Sequence, residues 1–373
     1  MIRRALPWLI AAAFLAPASA TARPVEWGAS YTADALGVVD GGVDRDAALM
    51  ARADLWADID GAALDVPSLT IHVDVMATHG PDFSGKAVGD FQTVSNVQAE
   101  TRPHVYEAWA QWRASPAFAL KAGQIDLNSE FDVQEIGSLF LNSAHGIGPD
   151  FSQSGLNGPS IFPMTASAVV ALIGREKGVQ ARFGVFDAVA GAHHDPRLPA
   201  VRLPGTTGAL LVGEVEVPVG SGQFQLGAWT YTTRFDAIVP GKPRVRSQGA
   251  YALVEGPLRG ALSGWARVGL ADARANPVAA SLSGGLALDV KDVRFGLAIA
   301  QVRAGGPLRR TLFPLERTRH AETAIELTMA HNLAGWISVQ PDLQYIVHPG
   351  WDPGLHNALV MGLRVALVWP TAG

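Results

Sequence analysis

The 373-residue chain has no cysteine, a formal net charge of −5 and only 17% charged residues. Those values exclude disulfides, thiolate metal sites, a cysteine nucleophile and a lipid-modified cysteine, and they leave no basic field to attract nucleic acid. With 40 glycines and 24 prolines the chain has too many breakers for a helical bundle, and its mean hydropathy of +0.17 is high for a soluble exported domain.

Arg3 and Arg4, an apolar run through Leu15 and then Ala18-Ser19-Ala20 follow the order of a secretory signal. Residues 1–20 are expected to be that signal and residues 21–373 a single domain. The run is broken by Pro7 and Pro17 and is too short for a transmembrane helix, and no later apolar stretch is long enough to span as one. Segments 26–34, 49–58, 68–78, 104–113, 117–125 and 166–175 read as strands. Between the last two lies the longest connection, Asp126–Pro163, and a loop of that length in a compact domain is usually functional.

From Val179 onward the period is two, not 3.6. In "VQARFGVFD" Val179, Ala181, Phe183 and Val185 oppose Gln180 and Arg182; in "QFQLGAWTYTTR" Phe224 and Leu226 oppose Gln225, Trp229 and Tyr231. "LSGWARVGL", "VRFGLAIAQV", "AETAIELTM" and "NALVMGLRVALVW" behave alike, and "WISVQPDLQYIVHPG" alternates throughout although Pro341 interrupts it. A proline there implies a bulge or a missing ladder bond. Short turns at Arg175–Gly178, Pro218–Gly222, Pro257–Gly260, Lys291-Asp292 and Asn332–Gly335 alternate with longer polar loops near 188–207, 235–247, 272–280, 304–320 and 348–356. In a meander this sorts every short turn to one end and every long loop to the other, as in an outer-membrane barrel with short periplasmic turns. The expected fold is all-β, a transmembrane antiparallel up-and-down β-barrel of about sixteen strands, wide enough for an aqueous channel. One face of each strand meets lipid and the other meets water, and closure leaves no free edge.

Several blocks, in order, resemble the carbohydrate-selective porins of the OprB family: "YEAWAQ" (Tyr106–Gln111), "LKAGQIDLNSEFD" (Leu120–Asp132), "FLNSAHGIGP" (Phe140–Pro149), "QPDLQYIVHPG" (Gln340–Gly350) and "GLRVAL" (Gly362–Leu367). The resemblance runs from about Tyr31 to Trp369. It implies a sixteen-stranded bacterial outer-membrane porin through which small sugars diffuse passively into the periplasm, as a monomer or homotrimer, with no cofactor and no enzymatic step. The chain departs from that pattern in being short for the family and in continuing as "PTAG" after Trp369, where such barrels usually finish on an aromatic.

A sugar pathway asks for donors and acceptors for hydroxyls, aromatic faces for the pyranose ring and a transverse field. By the alternation, His72, Asp74, Glu107, Lys121, Arg182, Trp229, Tyr231, Trp265, Arg267, Arg294, Glu322, Glu326, Asp342, Gln344 and Arg364 face the lumen. The 126–163 loop is expected to fold inward as a constriction, with "FDVQEIGSLFLN" forming a short helix and Asn142, Ser143, His145 and Asp150 presented to solute. Trp27, Trp336, Trp351 and Trp369 read as interfacial aromatics. The alternatives are a general or anion-preferring porin, an enzyme (around a pair such as Ser143 and His145) or adhesin on a barrel, and a soluble periplasmic sugar-binding protein, which the two-faced strands contradict. "AHHDP" (Ala192–Pro196) reads as a solvated loop tip rather than a metal site, and no metal is expected.

Overall fold

A computed structural model describes residues 25–175, 177–191, 208–312 and 319–369. The proposed signal, the "AHHDP" stretch and the "PTAG" end lie outside the described residues.

Sixteen antiparallel strands close into one barrel, each hydrogen-bonded to its sequence neighbours and β1 to β16. They are β1 (Val25–Gly42), β2 (Ala47–Asp60), β3 (Leu69–His79), β4 (Arg102–Ser115), β5 (Phe118–Ile125), β6 (Ala166–Gly174), β7 (Gln180–Asp187) and β8 (Ala209–Val219). The second half comprises β9 (Gly222–Tyr231), β10 (Gln248–Arg259), β11 (Leu262–Ala271), β12 (Val278–Val290), β13 (Val293–Ala304), β14 (Ala321–Ala334), β15 (Ile337–Val347) and β16 (His356–Trp369). Closure pairs Ala29 with Trp369, so both ends of the barrel chain lie at the short-turn end.

Alternation sorts the side chains. Leu55, Val73, Leu226, Val268, Leu297 and Leu327 are exposed on the outside, where lipid covers them, while Asp34, Glu214, Arg267 and Glu326 on the same sheet are buried inside. Trp27, Trp112, Trp336 and Trp369 all stand exposed at the short-turn end and form a girdle there. Trp351 does not join them. It is buried at the opposite end, its ring 4.4 Å from Phe91 and its Nε1–H donated to the Val302 carbonyl at 3.2 Å.

The proline in β15 leaves a gap in the ladder, not a bulge. Thr328 pairs with Asp342 and His331 with Val339 in one register, with no paired residues between, and Pro341 faces outward. Without an N–H it cannot complete the bond to β14, whereas on the β16 side Pro341 opposite Leu363 keeps the pairing. A bulge does occur on β4, where Asp74 opposes Glu107 and Val75 opposes Val105. It brings both Tyr106 and Glu107 to the inner face, where they hold Asp126.

Long connections reach into the barrel from its far end. Loop 126–165 and loop 80–101, between β3 and β4, fill that half of the lumen, packing Phe131, Phe140, Leu141 and Phe151 and Val88 and Val94 against the wall. The first contains single turns at Gly137–Leu139, Ser143–His145 and α1 (Pro149–Ser152) rather than the short helix expected over "FDVQEIGSLFLN".

Candidate functional site

The wall holds loop 126–165 through its main chain. The Asp132 N–H is donated to Glu214 Oε2 at 2.9 Å. The successive N–H groups of Glu135 and Ile136 reach the two oxygens of Glu255 at 3.2 and 3.0 Å, and those of Leu141 and Asn142 reach the two oxygens of Glu326 at 2.5 and 3.0 Å. A carboxylate has two acceptor oxygens, so it receives two consecutive amides wherever the chain turns both toward it, and such charge-assisted bonds are about twice as strong as neutral ones.

Arg267 of β11 fixes the middle of the loop. Its guanidinium donates from Nε and Nη2 to Asp132 at 2.7 Å each and from Nη1 to Asp150 at 2.6 Å, and it lies 5.1 Å from the Tyr251 ring. All three charges are buried, so each depends on its partners. Gly148 and Gly269 make the space: a β-carbon on the first would strike the guanidinium and on the second the Asp150 carboxylate. Asp132 also adopts a left-handed backbone, φ 55°, as it turns to Arg267. Burial pushes its carboxyl up, opposed by Arg267.

Loop 80–101 is held in the same way. The N–H groups of Phe91 and Gln92 are donated to Glu322 at 2.8 and 3.0 Å, and the Gly350 N–H reaches the same carboxylate at 2.6 Å. Arg364 forks onto Asp34 at 2.6 and 2.7 Å and donates to Asn96 Oδ1 at 2.6 Å, while Ser95 Oγ donates to Asp34. The two loops meet through Asn96 N–H to Leu141 O and Ser143 N–H to Thr93 O. Gln344 joins them, donating to the Val94 carbonyl at 2.8 Å and accepting from Asn142 Nδ2 at 3.1 Å. His145 is fully buried with neither ring nitrogen hydrogen-bonded, Nε2 standing 3.7 Å from Glu326, and burial pushes its imidazole down to about 3.

Solvent reaches a different part of the inner wall. Arg52 on β2 pairs with Asp54 at 2.8 Å and sits over Tyr106 and Phe162, with Asp74 at 3.9 Å. His72 contacts Asp58 at 2.8 Å and stacks on Trp109 at 4.9 Å. Arg182 on β7 reaches Glu214 at 3.1 Å and Glu216 at 2.9 Å, and Arg294 lies 3.5 Å from Asp289. Arg52, Asp58, His72, Arg182, Glu216, Arg294 and Asp289 keep partial exposure, whereas Glu214 is buried.

The pathway and constriction residues named from the sequence therefore divide. His72, Glu107, Arg182, Arg294 and Arg364 remain half-buried on the inner wall; Asp74 is more enclosed. Lys121 is buried between Glu130 and the Trp109 ring. The expectation that Trp229, Tyr231 and Trp265 offer open faces to a passing ring is overturned, because the loop covers them. Trp229 stacks on Phe151 at 5.0 Å, Tyr231 meets Ser154, and Trp265 packs on Phe140 and donates to Gln134. Arg267, Glu326 and Gln344 are likewise spent on loop contacts, and Asp342 is buried and accepts from Gln344 at 2.9 Å. Of the loop residues, Ser143 keeps partial exposure whereas Asn142, His145 and Asp150 are buried, so those three are placed as anchors and not as groups displayed to solute. Among the described residues the His145 imidazole makes no hydrogen bond, to Ser143 or to any other group.

Sequence reading missed Asp34, Arg52, Asp54, Asp58, Glu214, Glu216 and Glu255, and the entire second loop. The alternation in "LMARADLWADID" places Arg52, Asp54 and Asp58 on one face and was sufficient to find them.

A closed barrel with an apolar outside, an ionic inside and a loop folded into its lumen defines an outer-membrane porin. Residues 44–368 match the family described as carbohydrate-selective porin, OprB family. The high-pH structure of Pseudomonas putida OprB is similar to the chain, with TM-score 0.82 and 17% identity over 93% of this chain and 94% of that one. A mutant of the Rhodopseudomonas blastica porin has TM-score 0.58 and 9% identity over 92% and 100% of the two chains. The outer-membrane channel DcaP of Acinetobacter baumannii has TM-score 0.57 and 9% identity over 92% and 97%. No curated protein sequence matches. The chain belongs to the carbohydrate-selective porin, OprB family, and is accordingly a sugar-selective porin of the bacterial outer membrane. Its fold and family are those of a channel rather than an enzyme.

Proposed function

We propose that small sugars cross this porin along the partly exposed ionic wall formed by Arg52, Asp54, Asp58 and His72 on one side and Arg182 and Glu216 on the other. The observation that carries this reading is the pairing of cations with carboxylates on a wetted inner surface, beside the His72–Trp109 stack at 4.9 Å. Ionised partners give short, strong bonds to hydroxyls, and opposed charges set a field across the path. Transport is passive and involves no covalent step. The loops narrow the lumen and direct solute to this wall. Each closed barrel contains a complete path, so a monomer and a homotrimer conduct alike per chain. Residues 1–20 direct export and are removed, and amino-terminal sequencing of the mature protein checks that cleavage.

Single-channel conductance in a planar bilayer tests the pathway, with glucose, maltose and a neutral control titrated in. Saturable block by glucose is expected, and Arg52→Gln is expected to weaken it about tenfold, the loss of one charge-assisted hydrogen bond. Current steps insensitive to sugar would support a general diffusion porin instead.

A further inference from the structure

The outer surface of the barrel carries a groove of about 510 Å³ at the long-loop end, lined by Gln301, Arg319, His320, Ala321, Thr323, Val347 and His348. Gln301, Thr323 and Val347 lie on one rung across β13, β14 and β15 and point outward. The rung below, about 7 Å nearer the membrane centre, is Ile299, Ile325 and Tyr345, all exposed on the outside. Above lie Arg303, Arg319 and His320, also exposed. The surface thus passes from apolar, through Gln301 hydrogen-bonded to Thr323 at 3.1 Å, to cationic within a few residues.

Among the described residues the lining includes no carboxylate. Arg309, on α2 (Gly306–Leu312), donates from Nη1 to His320 Nδ1 at 2.7 Å, which joins the two side chains at the rim of the groove. Among the described residues Arg319 makes no ion pair. Among the described residues, Glu322 points inward onto Phe91, Gln92 and Gly350, and neither it nor Asp352 pairs with Arg319. Its two walls are tied together: Arg319 N–H is donated to the Trp351 carbonyl at 3.1 Å, and Ala304 N–H to the His320 carbonyl at 3.1 Å. His348 turns at the groove with a left-handed backbone, φ 57°, its N–H on Asn357.

We infer that this groove binds the phosphate of an outer-leaflet amphiphile, with Arg319 and His320 on the headgroup and the acyl chain along Ile299, Ile325 and Tyr345. Arginine suits phosphate because its planar fork matches two oxygens at once. The apolar rung beneath selects a lipid over a free anion, and the position, outside the closed wall, separates the site from the solute path.

Native mass spectrometry of the detergent-purified barrel tests it. The probes are a bisphosphorylated lipid A, the same glycolipid without phosphates, and inorganic phosphate as competitor. The phosphorylated lipid is expected to bind at least about fivefold tighter than the dephosphorylated one, the increment for the one arginine on the headgroup. Arg319→Gln with His320→Gln should abolish that preference, whereas Lys291→Gln at the opposite end should keep it. Arg319→Gln alone, at an exposed position, should remove part of the preference and serves if the double variant fails to fold. Equal retention of the two lipids, or an unchanged preference in the Arg319 variants, overturns the proposal. Displacement of the lipid by inorganic phosphate at matching concentration also overturns it, by making the groove a free-anion site.

Discussion

Arg267 carries its charge where water does not reach, and two carboxylates depend on it. Arg267→Ala leaves Asp132 and Asp150 buried without a counter-charge, a loss of about 3–5 kcal/mol. The loop should then leave the wall, seen as new proteolytic cleavage within 126–165 and a larger single-channel conductance. Arg267→Lys should not restore the parent behaviour, because one ammonium cannot span both carboxylates as a fork does. Gly269→Ala should mimic the arginine loss, since its methyl would displace Asp150. His145 gives a pH test. Its imidazole is held at about 3 when docked and titrates at 6.5 when solvated. Between those values the docked loop binds fewer protons than the released one, so docking weakens as pH falls below 6.5, by about 1.4 kcal/mol per unit. From pH 7 to 5 the docked state loses about 2 kcal/mol from this residue, and His145→Gln should flatten the pH dependence of conductance. Asp90 has the opposite sign: burial pushes it up to about 6 from 3.8, so loop 80–101 gains from acid across that window.

Among the elements, β15 is the strand whose sequence conflicts most with its structure. Pro341→Val supplies the missing N–H at an outward position, restores the β14 pairing and leaves the register unchanged. A rise of up to about 1 kcal/mol in stability is expected, read as a higher temperature of heat-induced gel-mobility shift. The strands themselves were legible because lipid outside and water inside impose a strict period of two, and Glu326, Gln344 and Arg364 fell on the correct face for that reason. What those side chains touch was not legible. Glu255 and Glu326 bond to main-chain amides, and an amide belongs to every residue type except proline, so no sequence signal marks it as a partner. Trp229 and Trp265 were misjudged for the same reason, since an inward aromatic reads alike whether solute or a loop covers it.

At the scale of the whole molecule, the wall carboxylates decide how much of the lumen stays open. Glu326→Gln places an amide nitrogen against one of two N–H donors, at about 1–3 kcal/mol. With Glu255→Gln added, loop 126–165 should come free, conductance should rise, and glucose block should weaken, all measurable in the same bilayer. The manner of anchoring has a further result. Glu214, Glu255, Glu322 and Glu326 take the loops mainly through backbone amides, with the Gln92 side chain on Glu322 the added loop donor. The loop's position is thereby uncoupled from most of what it displays. Residues such as Ser138 and Ser143 can be exchanged without loosening their neighbours' hold on the wall. A designer could rewrite the solute-facing surface as one changes the bit of a tool, leaving the handle untouched.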